Sequence, residues 1–116
     1  MSWITGGNIS TWANANPQGN FVDTFEYIVF DHLVQFVWYF RADNGAGTTD
    51  VTVTLPVAPV LNPNIVIACY GQTSVGTNQH SDVGAVITPS GIQFINFYAC
   101  PEGQALSVLV YGWYPI

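Results

Sequence analysis

Hydrophobic and polar residues alternate along much of this chain with a period of two. The clearest stretch is 50–55, where Val51, Val53 and Leu55 fall on one face and Asp50, Thr52 and Thr54 on the other. That pattern predicts a strand with one wet face. Residues 33–41 form a preceding strand, and the Asn44-Gly45 pair between the two adopts φ > 0 at little cost, which predicts the tip of an antiparallel hairpin. Pro56, Pro59 and Pro63 delete ladder donors, so 56–63 reads as a connection crossing between sheets. Further strands are expected over 64–71, 82–88, 92–99 and 104–114, with a hairpin around Pro89, Ser90 and Gly91. Residues 72–81 are expected to form a polar loop.

Several of these strands are apolar on both faces. In the last one, Leu106, Val108 and Val110 alternate with Leu109, Tyr111 and Trp113; in 92–98, Ile92 and Phe94 alternate with Ile95 and Phe97. A strand greasy on both sides must be covered on both, and in a small domain a second subunit supplies the cover most readily. Residues 1–20 are rich in Asn, Gly, Ser and Thr, and their Trp3 and Trp12 suggest an extended arm that docks on something. No segment shows helical periodicity. The expected architecture is all-β: an antiparallel β-sandwich of about seven strands over 25–116, preceded by an N-terminal arm over 1–24, in an oligomer.

Composition sharpens that expectation. The 116 residues are 49% hydrophobic and 7% charged, with one Lys or Arg against seven Asp and Glu and a net charge of −6. A single cation, Arg41, cannot neutralise a row of phosphates, which excludes nucleic acid and anionic membrane surfaces as partners. Residues 1–7 have neither a basic n-region nor an apolar h-region, and the apolar run 33–40 is interrupted by Gln35, so neither a signal peptide nor a membrane-inserted helix is expected. With so few charges, the solvated surface must consist of Ser, Thr, Asn, Gln and Gly, or be buried between copies.

The chemistry available is sparse. Cys69 and Cys100 match no zinc spacing and read either as small buried hydrophobes or as a single bridge. His80, Ser81 and Asp82 carry the letters of a triad, but adjacent residues of an extended chain point to opposite sides. Asp23 and Glu26, three apart, face opposite sides and make no acid–base pair. His32 and His80 alone hold no metal. No cofactor motif is present, and no enzyme activity is expected.

What remains is recognition. The candidate ligand-binding residues are Gln72, Asn78, Gln79, His80 and Asp82 in the polar loop, with Arg41 and Asp43 near the hairpin tip. Their neutral amides and mixed polar groups suit sugar hydroxyls, and a solvated loop built for turn chemistry is the plainer alternative. Arg41 is equally explained by an ion pair between subunits. The aromatics, from Trp38 to Tyr114, are expected in the core or between subunits, with Trp113 and Tyr114 as candidates for exposure.

The order of these elements resembles the C-terminal tip domain of bacteriophage tail fibres. The resemblance is carried by the T-x-x-V-T-V-type segment 48–55, the proline-rich crossover 56–63, the strand 64–70, the segment 91–94 and the Tyr/Trp/Gly-rich ending 108–114. It covers about residues 32–116, and a similar layout recurs in H-type lectins. Residues 1–30 have no counterpart in it, and the ending 110–116 differs from the usual one. The resemblance implies a homotrimer in the virion whose distal loops bind a bacterial surface polysaccharide or an outer-membrane protein. The alternatives it leaves are a structural virion component, a trimerisation module without a ligand, and a free-standing, extracellular lectin.

Overall fold

The computed structural model describes residues 2–7, 9–12, 18–44, 51–62, 66–80, 84–95, 100 and 103–116. Among them the chain is all-β, with ten strands and no helix: β1 (Ile4–Gly7), β2 (Ser10–Trp12), β3 (Gln18–Phe30), β4 (Leu33–Asn44), β5 (Val51–Val53), β6 (Ile67–Val75), β7 (Asn78–His80), β8 (Ala85–Thr88), β9 (Gly91–Phe94) and β10 (Leu106–Pro115). Every pairing is antiparallel, in the order β1-β3-β4-β10-β6-β8-β9-β5-β2, with β7 on the edge of β6.

The period-two pattern sets which side chains enter the core. On β4 Val34, Phe36, Trp38, Phe40 and Ala42 are buried while Gln35, Val37, Tyr39 and Arg41 are exposed. On β10 Leu106, Val108, Val110 and Tyr114 are buried, and Tyr111 and Trp113 are exposed. One core cluster draws on both arms of the path, taking Phe25, Phe36 and Trp38 from one and Val53, Ala85, Ile87 and Ile92 from the other. β6 belongs to both arms. Ile67, Ala68 and Cys69 pair with β8, and from Tyr70 onward the strand pairs with β10. The change of partner falls beside Gly112, where a Cβ would lie 2.7 Å from the Cβ of Cys69, so glycine is what allows the approach.

Two sequence expectations are corrected. β4 and β5 form no hairpin with each other: β3 and β10 occupy both edges of β4, so β5 pairs with β2 and β9 instead. The tip at Gly45 lies outside the described residues. The hairpin that does form joins β3 to β4 through Asp31 and His32, with Phe30 opposite Leu33 and Asp31 at φ 52. Asp tolerates that left-handed conformation better than most residues.

The expected polar loop 72–81 is mostly strand. β6 runs to Val75, turns at Gly76 (φ 62) and Thr77, and returns as β7. Gly71, Thr73 and Val75 are buried, so small and polar residues supply a core-facing alternation that hydropathy hides. In the N-terminal segment β1 pairs with β3 and β2 with β5, the two ends of the path. Trp3 remains exposed. From β3 onward there are eight strands where about seven were expected, short β7 carrying a weak hydropathy signal. The hairpin at Pro89 and Ser90 forms as expected, and a Cβ on Gly91 (φ 129) would lie 2.0 Å from the Val53 carbonyl oxygen.

One buried polar cluster ties the two ends together. The Asp23 carboxylate, 7% exposed, accepts from the Trp38 indole N–H at 2.8 Å and the Ser10 backbone N–H at 2.9 Å, and also from the Ser10 hydroxyl. Replacing it strands those donors in the core. Asp23→Ala should therefore lower the unfolding free energy by about 3 kcal/mol in a urea melt, and Asp23→Asn, which keeps one acceptor, by about half of that. A loss below about 0.5 kcal/mol for the alanine variant, the range of a neutral surface change, would contradict this role.

Candidate functional site

Register gathers polar residues from four strands into one row. Arg41 of β4 lies opposite Ser107 of β10, Ser107 opposite Ser74 of β6, and Ser74 opposite Gln79 of β7. Directly opposed residues share a face, so the row crosses the sheet surface remote from the core over about 14 Å, three strand spacings. Arg41 Nη1 donates to Ser107 Oγ at 3.2 Å, and Nη2 stands 3.7 Å from Asp43 Oδ1. Both partners of that ion pair are largely solvated, so it orients the guanidinium more than it stabilises the fold. Gln72 sits one row inward, opposite Leu109, and its Oε1 accepts from the Tyr70 hydroxyl at 3.3 Å.

Four of the predicted site residues, Arg41, Asp43, Gln72 and Gln79, thus share a face. Asn78 and His80 do not: they pair with Val75 and Thr73, whose side chains face the core, and His80 is half-buried. Asp82 lies outside the described residues. Ser74 and Ser107 were not singled out from sequence. Only the pairing of strands far apart in the chain brings them beside Arg41.

The rest of this outer face is apolar and aromatic. The next rows read Thr24, Tyr39, Leu109, Gln72 and then Glu26, Val37, Tyr111, Tyr70. Trp113 and Tyr111 are 52% and 47% exposed, and Tyr111 stacks on Tyr70 with ring centroids 4.8 Å apart. With Gln35 and Cys69 these aromatics line an open depression of about 330 Å³. Alternation along β4 and β10 is the signal that separates exposed Tyr39, Tyr111 and Trp113 from buried Trp38, Phe40 and Tyr114. Tyr114, a candidate for exposure on sequence, is fully buried and donates to the Val57 carbonyl at 2.8 Å. Burial, reinforced by the charge of Tyr27, pushes its hydroxyl up to about 12.

Cys69 and Cys100 form no disulfide: Cys100 is buried, its thiol donating to the Gln104 carbonyl at 3.3 Å, and Cys69 is half-buried. Among the described residues no group of three His, Cys, Asp or Glu is placed to hold a metal ion. Searches against protein families, curated proteins and solved structures return no match for this chain.

Burial pushes the Cys69 thiol up to about 11 from 9.0. Its thiolate fraction at pH 8 is then about a hundred-fold below that of an unperturbed thiol. Alkylation of Cys69 by iodoacetamide should accordingly keep accelerating past pH 9 without a plateau below pH 10, followed by peptide mass spectrometry. A plateau near pH 9 would show that the desolvation is absent.

Proposed function

We propose that this chain is a non-enzymatic recognition module, the receptor-binding tip of a bacteriophage tail fibre carried on the virion. In this reading it is a β-sandwich that works as a homotrimer and holds a bacterial surface glycan or outer-membrane receptor. The observation that carries the reading is the convergence of Arg41, Ser107, Ser74 and Gln79, from four strands, into one polar row on the outer face, with Arg41 and Gln79 exposed. The row offers a guanidinium, two hydroxyls and an amide, with the Asp43 carboxylate beside it. Hydroxyl-rich ligands are met by such mixed donors and acceptors at strand-to-strand spacing. Binding suits this row better than acyl transfer, because His80, the histidine nearest in register, falls on the opposite face from Ser74 and Gln79.

The order of elements that resembles tail-fibre tips supports the same class. So does the low charge, since a surface of amides and hydroxyls suits a neutral polysaccharide. The site differs from the loop expected on sequence: it lies on strands, where pairing fixes the spacing of its groups.

Binding of the intact protein to host-envelope polysaccharide, read by calorimetry, tests the reading. Arg41→Ala combined with Gln79→Ala should weaken binding at least ten-fold, about 1.4 kcal/mol, with an unchanged circular dichroism spectrum. His80→Ala should leave binding as it was. Full affinity in the double variant, or loss in His80→Ala alone, would move the site off the row.

A further inference from the structure

We infer that copies of this chain pack against one another through the outer face of β3, β4, β10 and β6. The inference rests on the oligomeric part of the proposed function and assigns it a surface. That face gathers Val22, Val37, Tyr39, Tyr70, Tyr111 and Trp113, all exposed in the single chain. An antiparallel sheet that is wet on one side carries mostly polar residues there, whereas this one sets these aromatic and aliphatic side chains among Thr24, Glu26, Gln35 and Gln72.

Size fits a protein occupant. β3, β4 and β10 at the usual strand spacing over the nine residues from Val22 to Phe30, with β6 beside β10 over Tyr70–Val75, cover about 450 Å² in projection. Projecting aromatic rings raise the accessible area toward the roughly 800 Å² that each partner of a standard interface buries. Relief fits as well. Val37 stands between two depressions, one lined by Thr24, Glu26 and Tyr39 and one by Tyr70, Tyr111 and Trp113, of about 260 and 330 Å³. Ridge and pits of side-chain dimensions allow two such surfaces to interlock.

Charge allows a second copy as that occupant. At a net charge of −6 the copies repel, so a self-contact must keep carboxylates out of its centre. Among the described residues this face holds only Glu26 and Asp43 as acids, and Asp43 is met by Arg41. A saccharide is the weaker occupant for the aromatic part. It would cover only a fraction of the area, and the Gln72 carbonyl oxygen nearby is already engaged by Tyr70.

Sedimentation equilibrium with face variants decides the matter. The wild type should sediment at a multiple of the 12.6 kDa chain. Val37→Lys and Trp113→Ser, at positions exposed in the single chain, should each weaken assembly at least about a hundred-fold and leave a folded protomer with an unchanged circular dichroism spectrum. Ile95→Ser, 69% exposed but on another surface, should stay assembled. Assembled Val37→Lys and Trp113→Ser variants would overturn the surface assignment and leave the oligomer standing. A monomeric wild type that still binds envelope polysaccharide would overturn the inference while the receptor-binding reading survives.

Discussion

The Asp23 carboxylate is the constraint on which the rest of this structure depends. β1 and β2 are consecutive in the chain but occupy opposite ends of the strand order, so the first dozen residues must hold both ends of an otherwise open path. Asp23 on β3 fixes that closure by accepting from Ser10 on β2 and from the indole of Trp38 on β4. A buried carboxylate is costly unless its acceptor sites are filled, and here they are filled by groups that would be costly unpaired themselves. The Thr54 N–H adds a bond to the Ile9 carbonyl at 3.1 Å, which seats the same segment on the far arm. Short β2 is anchored there because the carboxylate holds its Ser10.

With the core closed on one side of β3, β4, β10 and β6, the other side of that sheet is left to act. It divides along the strands. One end presents Arg41, Ser107, Ser74 and Gln79, and the middle and far end present Val37, Tyr39, Tyr111 and Trp113. The two parts suit two tasks, reading a hydroxyl-rich ligand and covering apolar surface with another copy. A chain that is 7% charged can solvate itself only through neutral polar groups or through assembly, and this face has room for both.

Much of the fold was legible because alternation is a local signal. The runs that become β4 and β10 declare themselves as strands in sequence, and the turn at Pro89 and Ser90 declares the β8–β9 hairpin. What stayed hidden is non-local. Asn44-Gly45 has good turn chemistry, but no local pattern reveals that both edges of β4 are already taken by β3 and β10. Asp23 looked like one of several scattered acids, since its partners lie 13 and 15 residues away. The site was half legible for the same reason. Arg41 and Gln79 were visible as candidates, but their convergence through Ser107 and Ser74 is a matter of register, which only pairing reveals.

The central claim is that this one face is shared between self-assembly and ligand reading, and hydroxyl-radical footprinting of the intact protein tests it most directly. Trp3 and Trp113 have the same side chain and similar exposure in the single chain, 47% and 52%. The account predicts that Trp113 and Tyr111 are protected relative to Trp3 without any ligand, and that peptides carrying Arg41 and Gln79 gain protection only when envelope polysaccharide is added. Oxidation of Trp113 as fast as Trp3, with no change around Arg41 and Gln79 on adding polysaccharide, would contradict it.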